Sequence, residues 1–121
     1  MLKEIHSAKQ VAGEPRRRWF VSPQLDLYVW YGPQDDVIQF QICYNKGPDE
    51  RALTWMRDEG FSHHAVDDGE GRVLHMKSSP VLAASTEFDP AALRRQFTKA
   101  ARKLEHDLYE FIIHQLDRSS S

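Results

Sequence analysis

Cysteine is almost absent from the chain: Cys43 stands alone among 121 residues, so no intramolecular disulfide can staple the fold. That suits a reducing compartment, and the chain is expected to be cytoplasmic. Long apolar runs are missing too. The longest, Leu27-Tyr28-Val29-Trp30-Tyr31, falls far short of the roughly 20 residues a membrane helix needs, so no membrane is expected as a partner. The opening Met1-Leu2-Lys3-Glu4-Ile5-His6 lacks the apolar core of a secretory leader. Nor is there an excess of either charge: 16 Lys and Arg against 18 Asp and Glu give a net charge of −2. A domain built to neutralise a phosphate backbone is usually strongly basic, which makes nucleic acid an unlikely partner on composition. The spacings of a P-loop, a dinucleotide-binding GxGxxG, a zinc-protease HExxH, a GxSxG elbow and a redox CxxC are all lacking. No catalytic residue is therefore assigned, no cofactor is expected, and the chain reads as a non-enzyme.

Hydrophobic residues at 40% and charged residues at 28% are those of a globular chain. Its length suits one domain over 1–121. Within it, residues 1–15 are ambiguous: Leu2, Ile5, Ala8 and Ala12 could line a short helix stopped by Gly13. From Arg16 to about residue 78 short apolar runs alternate with turn residues, the pattern of an antiparallel meander. The expected strands are Arg17 to Ser22, Leu25 to Tyr31, Val37 to Tyr44, Arg51 to Arg57, and a hairpin of Phe61 to Val66 with Arg72 to Lys77. Side chains alternate across a strand. Pairing Tyr31, Val29 and Leu27 with Ile38, Phe40 and Ile42 makes one face wholly apolar, and Leu53 and Trp55 extend it. The other face carries Tyr28, Trp30, Gln39, Gln41 and Thr54.

An apolar face needs a cover, and residues 89–116 supply one as a single long helix. Asp89 is its N-cap, Pro90 its first residue, and Phe88 can staple onto Leu93. Leu93, Phe97, Ala100, Ala101, Leu104, Leu108, Phe111 and Ile112 form its apolar stripe, and residues 117–121 are expected to fray. The fold class is thus α+β, a meander sheet of five or six strands with one C-terminal helix packed on one face. A small closed barrel with the helix as a lid is the alternative.

Three groups of residues suggest function. His63, His64 and His75, with Asp67 or Asp68, offer imidazoles and carboxylates around one hairpin, a candidate metal site. His63 and His64 are adjacent on a strand and point to opposite faces, so only one of them can join His75. Arg16-Arg17-Arg18 beside Trp19-Phe20, and Arg95, Lys99 and Lys103 at four-residue spacing on the helix, are candidate polyanion contacts. The basic half of the helix precedes Glu105, Asp107 and Glu110, an order opposite to what the dipole of one continuous helix prefers. Tyr28 and Trp30 on the outer sheet face, with Tyr109, Ile113 and Leu116 beside the main helix stripe, are candidate interface residues. Cys43, in an alternating strand, reads as structural.

The runs Arg17-Arg18-Trp19-Phe20, Leu25-Asp26-Leu27-Tyr28-Val29-Trp30, Phe40-Gln41-Ile42-Cys43-Tyr44 and Arg51-Ala52-Leu53-Thr54-Trp55 resemble those of small bacterial proteins of unknown function. The resemblance implies a bacterial source and transfers no site. The reading that emerges is a small non-enzymatic binding or protein-interaction module, self-associating as a homodimer or docking another protein. A metal-binding protein using the His/Asp cluster and a weak polyanion or nucleic-acid binder are the alternatives.

Overall fold

A computed structural model describes residues 1–5, 15–46, 50–65 and 89–119. Among the described residues six strands, β1 (Lys3–Glu4), β2 (Arg16–Val21), β3 (Leu25–Tyr31), β4 (Val37–Tyr44), β5 (Arg51–Met56) and β6 (Gly60–Ala65), pair antiparallel in sequence order. Two helices follow, α1 (Pro90–Ala100) and α2 (His106–Ser119). The fold is α+β, and the described strands form an open sheet. The second strand of the expected last hairpin, Arg72 to Lys77, and the staple residue Phe88 lie outside the described residues.

Alternation decides the sheet's inner face. Leu27, Ile42 and Leu53 align across three strands, as do Val29, Phe40 and Trp55. All but Trp55 in these rows have no exposed surface. Burying a side chain of this size contributes about 1.5–3 kcal/mol, so these rows alone bind the register strongly. The β2–β3 loop is Pro23-Gln24, closed by Ser22, whose hydroxyl donates to the Leu25 carbonyl at 2.7 Å and accepts from the Leu25 N–H at 3.0 Å.

One pairing differs from the expected register. Trp30 lies opposite Gln39 but Tyr31 lies opposite Val37, so Ile38 is the extra residue of a bulge. The bulge needs Gly32: a Cβ there would lie 2.9 Å from Ile38 Cγ2. The turn just before the bulge is closed by Gly32 N–H to the Asp36 carbonyl, and Asp35 adopts a left-handed φ of 66°. Asp tolerates that region better than most residues.

The N-terminal segment is not helical where it is described. Leu2 is buried, β1 pairs with β2, and the Leu2 N–H donates to the Ala100 carbonyl at 2.7 Å. That bond satisfies a helix-terminal carbonyl that would otherwise lack a donor.

The single long helix is the main correction. Asp89 does cap α1, accepting from Ala91 and Ala92 N–H at 3.1 and 3.3 Å, with Pro90 first. The helix ends at Ala100, however, and Ala101 has φ −95° and ψ 20°. α2 then starts at His106 and runs through residues 117–119, which were expected to fray. The charge order explains the break. Lys99, Arg102 and Lys103 sit at or just beyond the C-terminus of α1, and Glu105 and Asp107 sit at the N-terminus of α2. Each group suits the dipole of its own helix end. The break also removes Lys103 from the like-charge row with Arg95 and Lys99.

Proline distinguishes the two arrangements. In the interior of a continuous helix, His106→Pro would cost about 3 kcal/mol. At the first position of α2 it is expected to change stability by less than about 1 kcal/mol, measured by urea denaturation.

Candidate cleft between helix and sheet

The two helices do not cover the whole inner face. At the sheet end formed by the β3–β4 and β5–β6 turns, α2 and the strands part to leave a cleft of about 1010 Å³. That is at the upper end of the ~300–1,000 Å³ of small-molecule sites. Its floor is apolar. Tyr31, Val37, Trp55 and Phe61 come from four strands, and Leu108 and Phe111 from α2. Phe111 stands edge-on to Trp55 and Phe40 at 5.3 and 6.3 Å between centroids, and Phe61 is edge-on to Phe40 at 6.2 Å. Val37, Phe61 and Phe111 are only partly buried, so the cleft exposes aromatic and aliphatic surface. Val37 reaches this floor because of the Ile38 bulge.

Charge lines the rim in balance: Arg16, Arg18, Arg57 and Arg118 face Asp35, Asp36, Glu105 and Asp107. Arg18 is the fixed member. It meets both Glu4 carboxylate oxygens at 2.8 and 2.9 Å, Glu105 at 2.6 Å and the Tyr31 hydroxyl at 3.2 Å. Glu4 above all, then Glu105 and Tyr31, hold the Arg18 guanidinium more firmly charged than usual, against the opposing effect of burial. This node ties β1, β2 and β3 to the start of α2. Arg16 lies 4.3 Å from the Tyr31 ring centroid and pairs with Asp35 at 2.6 Å, while Arg57 pairs with Asp36.

The residues singled out from sequence fall in different places. Of the basic cluster, Arg16 and Arg18 share the inner face and Arg17 points to the other side. Arg95, Lys99 and Lys103 are exposed, and among the described residues no carboxylate pairs with them.

The interface group is split as well. Trp30 is 3% exposed, Ile113 7% and Leu116 1%, so all three are buried, Trp30 on the outer sheet face and the other two in the core. For Ile113 and Leu116 the cause is the helix break. The stripe drawn through one helix leaves Ile113 and Leu116 to one side, but in α2 alone Leu108, Ile112 and Leu116 form an i, i+4 row with Ile113 beside it. Tyr28 stacks between Trp19 and Trp30 at 5.8 and 6.2 Å, and Tyr109 stacks on Phe97 at 6.0 Å.

His63 is buried on the inner face, its Nε2 2.5 Å from the Tyr44 hydroxyl. The backbone of His64 pairs with Ala52, whereas His75, Asp67 and Asp68 lie outside the described residues. Among the described residues no three metal-binding side chains come together.

Among the cleft residues that sequence reading did not single out as a site are Tyr31, Val37, Phe61, Phe111, Asp35, Asp36 and Arg57. The apolar ones carry the same periodic signal as core positions, and the charged ones lie in turns. No spacing distinguishes them. Comparison with protein families, with curated proteins and with solved structures finds no match. None of the described helices is long and apolar enough to cross a membrane.

Two measurements follow from these placements. Ile113→Glu with Leu116→Glu puts two carboxylates into the core and is expected to unfold the chain, seen as loss of far-ultraviolet dichroism. Burial raises the Tyr44 phenol above its ordinary 10.0, with Arg51 pulling the other way. An acid with a raised folded pKa contributes stability below its unfolded value, lost as pH climbs through the folded one. Stability of the wild type should therefore fall above about pH 10 more steeply than that of Tyr44→Phe, read as urea midpoints across that range.

Proposed function

We propose that the protein is a small binding module and that the cleft between α2 and the turn end of the sheet is its recognition site. The observation that carries this reading is the partly buried apolar floor of Val37, Phe61 and Phe111 in an open cleft. Large side chains left in contact with water at a concave site are stabilised by an apolar occupant. The paired charges at the rim supply polar contacts that orient it.

The balanced rim argues against a polyanion as the occupant. Four cations facing four carboxylates create little net field to draw in a chain of phosphates. Self-association through Trp30, Ile113 and Leu116 is not part of this reading, because those side chains are buried.

Indole, a neutral aromatic probe, tests the site. Titration of isotope-labelled protein should shift the amide resonances of Val37, Phe61, Leu108 and Phe111 in a saturable way. Phe61→Asp, checked for native dichroism, should abolish those shifts. Shifts scattered over the surface, or none, would overturn the proposal.

A further inference from the structure

We propose that the cleft takes an apolar molecule ending in a carboxylate, received at the mouth by Arg16 and Arg57. This rests on the cleft being the binding site and names what kind of ligand it takes. The two guanidiniums flank one turn, and adjacent residues of that turn, Asp35 and Asp36, hold one each. Two carboxylates thus already occupy the positions a ligand's head group would take.

The contrast with Arg18 shows which arginines can change partner. Arg18 is 20% exposed and is held by two carboxylates and a phenol. Its hydrogen-bonding capacity is committed to the fold. Arg16 and Asp35 are 51% and 75% exposed, and Arg57 and Asp36 are 50% and 43% exposed. Pairs so open to water contribute only about 0–1 kcal/mol, so a ligand carboxylate can displace Asp35 or Asp36 at little cost. The released aspartate returns to water, where solvent and salt screen the one extra negative charge that the ligand brings to the rim.

Preorganisation favours the exchange. The Arg16 guanidinium sits over the Tyr31 ring, which restricts its plane. A planar guanidinium presents paired N–H donors that match a carboxylate edge, which a lysine ammonium would not. Arg16, Arg57 and the apolar floor line the same cleft, so a head group bound at the rim leaves its body facing Val37, Phe61 and Phe111.

Two acid and amide pairs, naphthalene-2-carboxylate against naphthalene-2-carboxamide and octanoate against octanamide, test the proposal by calorimetry and amide resonance shifts. The acid is expected to bind about tenfold more tightly than its amide in at least one pair, the size of a charge-assisted hydrogen bond. A preference in the first pair marks an aromatic acid as the ligand, and one in the second an aliphatic acid. Arg16→Gln with Arg57→Gln should remove the preference while the amide still binds. Asp35→Asn with Asp36→Asn should strengthen acid binding by freeing both guanidiniums. Equal binding of acid and amide within the cleft would overturn the carboxylate assignment and leave the cleft as a site. A preference that survives the double arginine substitution would overturn the roles of Arg16 and Arg57. Absence of any shift in the cleft with all four compounds would overturn the cleft itself.

Discussion

Everything in this molecule is arranged around two rows of side chains on the inner face of the sheet. Leu27, Ile42 and Leu53 form one, and Val29, Phe40 and Trp55 the other. A slip of one residue in any of the three strands would turn that strand's members of both rows outward and lose burials of about 1.5–3 kcal/mol each. With the register held, the inner face must be covered. Leu93 and Phe97 of α1 with Ile112 and Leu116 of α2, all close to fully buried, do so. Phe111 of α2 completes an aromatic cluster with Phe40 and Trp55.

The cover is broken in two, and charge and geometry agree on where. Bases gather where α1 ends and acids where α2 begins, so each helix end meets the charge its dipole favours. The start of α2 is then tied to the sheet by Arg18, which joins Glu105 to Glu4 and Tyr31. The same node fixes the short N-terminal strand, whose preceding residue supplies the donor that α1's last carbonyl needs. Three distant parts of the chain therefore depend on one guanidinium, whose loss would leave two carboxylates without their shared partner.

The cleft is a consequence of these constraints. α2 borders the gap from Asp107 to Arg118, and the bulge at Ile38 brings Val37 to it from the sheet. Bulges commonly re-aim side chains near functional sites. Here the same bulge directly follows the turn that carries Asp35 and Asp36 to the mouth. Backbone irregularity, partly buried aromatic surface and exchangeable ion pairs thus coincide at one end of the sheet.

Strands β2 to β6, the apolar pairing of β3, β4 and β5, and the cap of α1 were legible in the residues, because period-two alternation, turn composition and the Asp-Pro start act over short distances; β1, in the ambiguous N-terminal segment, was not. The break in the helix was legible in principle: bases followed by acids mark one helix end and the next beginning. It was obscured because an apolar stripe can be drawn straight through both helices. What the sequence by itself determined was which side chains are apolar and with what local period. Whether Ile113 and Leu116 would be surface or core, and whether Phe61 and Phe111 would be fully packed or left facing a cleft, was decided only when two helices met a twisted sheet. Those outcomes depend on angles and distances between elements far apart in the chain, and no local pattern encodes them. The same holds for the ion pairs at the mouth: Arg16 and Asp35, like Arg57 and Asp36, are brought together by strand pairing and a single turn, not by spacing in the chain.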